Sequence, residues 1–169
     1  MHSNSRYFVS FLLLLATVAC HNKPTEKQNV TATCGPRALS GVIRYYRLQV
    51  TWDSLAMVAG TTEKGTSMLG LANAAKYLGF EAVGLQTDYA SLKDIPLPSI
   101  IYVDGNHFTT LLWVGQDSVL VEEDGHKDFW QRAKLEKRWQ GQVLALYPGT
   151  ALQEKMRTNN KANNIEETQ

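Results

Sequence analysis

The sequence predicts an α+β fold in which N-terminal helices pack on an antiparallel sheet. Three observations carry that prediction. Apolar residues recur at helical spacing in the first half, at Leu39, Val42, Ile43 and Tyr46, and again at Met68, Leu71, Ala72, Ala75 and Leu78. From Phe80 onward the period shortens to that of strands. Glycine and proline then punctuate several short apolar runs, and helices followed by such a run of strands read as α+β. At 169 residues the chain fits one domain with enough length to build its own core.

The elements follow in order. Residues 1–20 read as a targeting segment: Arg6 supplies a weak positive start, an apolar run spans 7–19, and Thr17-Val18-Ala19 leads into Cys20. That run is shorter than the roughly 20 residues a transmembrane helix needs. Residues 21–27 form a polar tether. Cys34 stands before Gly35-Pro36 and the helical run from Leu39 to Tyr46, and proline suits the first turn of a helix. The thiol is therefore expected at or just before a helix N-terminus. Thr51 is a plausible N-cap for a second short helix over Leu55, Ala56 and Val58. A third helix follows Gly65-Thr66 and closes at Gly79.

Strands are expected at 80–85, 99–103, 107–114, 118–123 and 142–147, with a short helical turn at 89–93 and a tight turn at Asp104-Gly105. Residues 128–139 read as a helix over Phe129, Trp130, Ala133, Leu135 and Trp139, on imperfect spacing. The domain is expected to run from 28 to 149. The polar tail, 150–169, is rich in Asn, Thr, Gln and Glu and is expected to stay mobile.

Composition narrows the function. The formal net charge is +1 at pH 7 and no basic patch interleaves with aromatics, so nucleic acid is not an expected partner. Two cysteines and four scattered histidines make no metal-ligand pattern, so neither metal nor cofactor is expected. There is no internal repeat.

Two readings of Cys34 fit its local sequence equally. One is a small buried residue packed under a helix. The other is a nucleophile whose thiolate is favoured by the helix N-terminus. Cysteine arithmetic shifts the balance. In an oxidising compartment two free thiols tend to pair, but a lipidated Cys20 leaves Cys34 without that partner. The thiol heads the first helix and His107 begins a central strand facing it. That is the layout of papain-like cysteine peptidases.

At this point the chain resembles a known family, the bacteriocin-processing cysteine peptidases that remove double-glycine leader peptides. The resemblance covers 28–146. It rests on Gln28 ahead of Cys34-Gly35-Pro36, on Gly65-Thr66-Ser67 leading to Leu69-Gly70-Leu71, and on Leu78-Gly79-Phe80. Pro96-Leu97-Pro98, Asn106-His107-Phe108 and Trp139 complete it. It implies that Cys34 is the nucleophile and His107 the general base. It also implies that Gln28 supplies the oxyanion hole. The family's third member, an aspartate usually followed by proline, falls by spacing on Glu123, with Asp124 in the proline's place. Glu122 is expected on the opposite face of the strand, and Asp124 is the alternative, substituting through a local bend. The competing reading makes 122–124 a solvated acidic turn. Thr33 also departs from the family's usual aspartate.

The sequence ahead of Cys20 is similar to the lipobox of bacterial lipoproteins, with Thr17 where an aliphatic residue is usual. The expectation is an exported lipoprotein, anchored through lipid on Cys20 on the periplasmic or cell-surface side. It would act on a peptide or exported protein, without a fused transporter and with a separate exporter as a conceivable partner. The alternatives are an amidase or acyl-transferase on the same scaffold, and a peptide-binding module that has lost catalysis.

Overall fold

The computed structural model describes residues 30–166. Three helices come first: α1 (Val30–Tyr45), α2 (Trp52–Val58) and α3 (Met68–Tyr77). Strand β1 (Phe80–Gln86) and the single turn α4 (Tyr89–Leu92) follow. Next come β2 (Ser99–Val103), β3 (His107–Val114), β4 (Ser118–Glu123) and β5 (His126–Gln131). Helix α5 (Arg132–Arg138), β6 (Trp139–Pro148) and α6 (Thr150–Glu166) close the chain. The strands form one six-stranded sheet in the order β1-β6-β2-β3-β4-β5, with every pair antiparallel. This is the α+β arrangement that the sequence predicts.

Local chemistry explains the helix ends. The hydroxyls of Thr51 and Ser67 accept from the backbone N–H groups of Ser54 and Gly70, which have no partner within the first turn of α2 and α3. Gly79, at φ 92°, ends α3 in a conformation that costs other residues a steric penalty.

The sheet separates two apolar clusters. One face carries Leu39, Val42 and Ile43 of α1 with Leu55, Leu71, Ala75, Ile100, Phe108 and Leu144. The other carries Ile101, Leu111, Val119, Val121 and Val143 under Tyr89, Leu92, Trp130 and Leu135. Alternate strand residues serve opposite faces, as strand geometry requires. The close seat of α1 depends on Gly41. A Cβ there would lie 2.5 Å from Thr110 Oγ1 and 3.1 Å from Glu122 Oε1.

Three expectations need correction. Helix α1 begins at Val30, so Cys34 lies in its second turn and Pro36 lies inside it. Proline lacks the N–H that would reach the carbonyl four residues back and its ring crowds that carbonyl, yet the helix continues on both sides of Pro36. The segment 128–139 is not one helix: β5 pairs with β4, and only Arg132–Arg138 is helical. The signal was Asp124-Gly125, whose φ angles of 50° and 84° form the two-residue loop of a β4–β5 hairpin. The tail is helical through Glu166, and Leu152, 5% exposed, joins the α1 cluster with Met156 packed against it. Two well-placed apolar side chains suffice to dock a segment that is polar overall.

Candidate active site

Helix α1 and the start of β3 meet at Cys34 and His107. Cys34 is 7% exposed and belongs to the α1 cluster. Its thiol shares a hydrogen bond with His107, and the backbone N–H groups of Phe108 and Gly35 also point at the sulfur. Burial pushes the thiol pKa up. The His107 hydrogen bond, the two backbone donors and the imidazole charge outweigh it, so the thiol lies below its ordinary range. Because Cys34 sits a turn inside α1, these groups rather than the helix end account for the shift, since the dipole effect fades within the first turn.

His107 moves the opposite way. Its hydrogen bond to Cys34 raises it above the ordinary imidazole range, and burial opposes this. The Cys34 charge and the nearby Glu123 carboxylate add to the rise. Nε2 faces Glu123 Oε1 at 3.2 Å, which leaves Nδ1 for the thiol. The arrangement favours a thiolate beside an imidazolium, with a carboxylate fixing the ring.

The three consecutive carboxylates part company here. Glu122 is buried and paired with Arg44 of α1, on the face opposite β4's other cluster. Glu123 turns to His107 while remaining 44% exposed. Asp124 pairs with Arg37 of α1, Nη1 to Oδ1 at 3.0 Å. Arg37 also donates from Nε to Thr33 Oγ1 at 3.2 Å, and its guanidinium lies 4.6 Å from the centre of the Trp52 ring. Asp124 holds φ 50°, a conformation closed to proline, whose ring fixes φ near −65°. The turn after Glu123 therefore differs from the Asp-Pro form that the resemblance implies.

Cys34, Arg37, His107, Glu122, Glu123 and Asp124 line one cleft. Nothing in the local sequence marks Arg37 or Arg44 as site residues. The Asp124-Gly125 hairpin was the signal that could have brought the acidic run against α1. On the other side Arg138 donates bidentately to Asp104, Nε to Oδ1 at 3.2 Å and Nη2 to Oδ2 at 2.6 Å, in the turn just ahead of His107. Gln28 and Cys20 lie outside the described residues. Among the described residues, no group of three His, Cys, Asp or Glu side chains could hold a metal ion, and no helix is long and apolar enough to cross a membrane.

An antiparallel sheet carrying an imidazole opposite a helix-borne thiol is the papain-like fold. The model of the Peptidase C39 family matches residues 22–151, and the chain belongs to that family. Its fold is similar to a double glycine motif protease from an AMS/PCAT transporter solved with its leader peptide. The TM-score is 0.66 at 22% identity, covering 73% of this chain and 88% of that one. It is also similar to the peptidase domain of Streptococcus ComA, with TM-score 0.64 at 23% identity over 70% and 93% of the two chains.

In sequence it is 32% identical over 96 residues to an uncharacterized protein of Methanothermobacter thermautotrophicus, covering 57% of this chain and 68% of that protein. It is 32% identical over 109 residues to the lactococcin-A transport/processing ATP-binding protein LcnC of Lactococcus lactis. That match covers 58% of this chain but only 15% of the relative.

Proposed function

We propose that this protein is a cysteine peptidase that cleaves a peptide bond through an acyl-enzyme on Cys34. The observation that carries the reading is the Cys34–His107–Glu123 line, with the thiol lowered and the imidazole raised. The Cys34 thiolate adds to the scissile carbonyl, and His107 donates its proton to the leaving amine. A water then attacks the thioester, with His107 as base, and the acid product leaves. Glu123 holds the ring in orientation and balances its charge. Gln28 supports the tetrahedral oxyanion through its side-chain amide.

The substrate class that family membership supports is a peptide leader ending in two glycines, the kind named for the similar transporter protease. In this reading Cys20 carries lipid and anchors the enzyme outside the cytoplasm, beside a separate exporter. The test is cleavage of a peptide library, with double-glycine and control sequences, by the full chain. Cleavage that Cys34→Ala abolishes supports the reading, and cleavage that survives Cys34→Ala overturns it.

A further inference from the structure

The acidic run 122–124 is distributed among three cations: Glu122 to Arg44, Glu123 to His107 and Asp124 to Arg37. Arg37 and Arg44 stand two turns apart on one side of α1, the helix that bears Cys34. Between them Gly41 brings the helix backbone against Thr110 and Glu122. Arg37 is held on three sides, by Asp124, the Thr33 hydroxyl and the Trp52 ring. A glutamate at 123 has one more rotatable bond than an aspartate, and this one is half exposed. Left unconstrained, it has Arg37 in the same cleft as an alternative partner.

We propose that Arg37 and Arg44 are positioning residues for the site. They pin Asp124 and Glu122 to α1, fix the end of β4 relative to Cys34, and leave Glu123 as the carboxylate that meets His107. This rests on the reading of Cys34, His107 and Glu123 as the reacting group.

The test is the pH profile of Cys34 alkylation by iodoacetamide on the full chain, which needs no substrate. The alkaline limb reports loss of the His107 proton. Glu123→Gln is expected to move that limb down by about one pH unit, the scale of a lost adjacent charge. Two mechanisms then separate by sign. Acting only through space, removal of the Arg37 charge raises the His107 pKa and removal of the Asp124 charge lowers it. As members of a clamp, Arg37→Gln and Asp124→Asn both lower it. Neither adds to the shift of Glu123→Gln, and Arg37→Asp combined with Asp124→Arg restores the wild-type limb. Arg44→Gln is expected to lower it as well.

Opposite shifts for Arg37→Gln and Asp124→Asn, no shift in either, or shifts that add to Glu123→Gln would falsify the clamp. A silent Glu123→Gln overturns it too, because nothing would remain to position. If a single variant fails to fold, as judged by circular dichroism, the charge-swapped pair decides alone. The peptidase reading fails separately, through peptide cleavage that does not depend on Cys34.

Discussion

Cys34 and His107 set the pH behaviour of the site together. The thiol is lowered and the imidazole raised, so the two titrations move toward each other and each charged form favours the other. The sign for stability follows. His107 contributes fully below its unfolded value of about 6.5, and the contribution is lost as pH rises through the raised folded value. Cys34 contributes above its unfolded value of about 8.5, and loses that as pH falls through the lowered folded value. The alkylation profile of Cys34 is therefore expected to lie at lower pH than that of a free thiol; a profile that coincides with a free thiol's would contradict this. On peptide substrate, Glu123→Asp is expected to keep part of the activity and Glu123→Gln to lose kcat with little change in KM. Gln28→Ala is expected to cost on the order of 100-fold in acylation, the scale of one oxyanion donor.

Helix α6 and the α1–β3 contact carry the next predictions. Leu152 is buried in the α1 cluster, so Leu152→Ala is expected to cost about 2–5 kcal/mol, the range for deleting a packed leucine side chain. Truncation after Gly149 removes the same anchor and is expected to lower the urea midpoint. An unchanged midpoint would mean that α6 adds nothing. Gly41→Ala drives a methyl group into Thr110 and Glu122, and overpacking of this kind costs about 1–3 kcal/mol. Because relief moves α1 away from β3, it is expected to slow Cys34 alkylation as well. A variant that loses stability but alkylates normally would show that the sheet yields instead of the helix.

Sheet order brings the site together. Strands β3 and β4 are neighbours, α1 packs across them, and the turns at their ends place His107 beside the thiol and Glu123 beside His107. Helices cover both faces of the sheet, so the cleft opens at the strand ends. The proposed anchor belongs to the full chain: mass spectrometry of membrane-purified protein is expected to find Cys20 as a lipidated N-terminus. An unmodified N-terminus at another residue would sink that part of the reading.

What the sequence determined by itself was local. The 3.6-residue period gave α1 and α3, the alternation after Phe80 gave most strands, and Asp104-Gly105 gave the turn before His107. Each of these depends on neighbours a few residues apart. Segment 128–139 has apolar spacing that suits neither period well, and its strand is defined by the hairpin turn at Asp124-Gly125 and by pairing with β4. Docking of α6 through Leu152 also escaped, because a single leucine in a polar tail is silent until its partners are known. Only the tertiary structure decided which carboxylate meets which cation. Alternation along β4 sends Glu122 to α1, the left-handed turn at Asp124 directs that side chain to Arg37, and Glu123 is left toward His107. That sorting depends on register and on the seat of α1 against the sheet. Both are fixed by contacts between residues far apart in the chain, which spacing along the sequence does not encode.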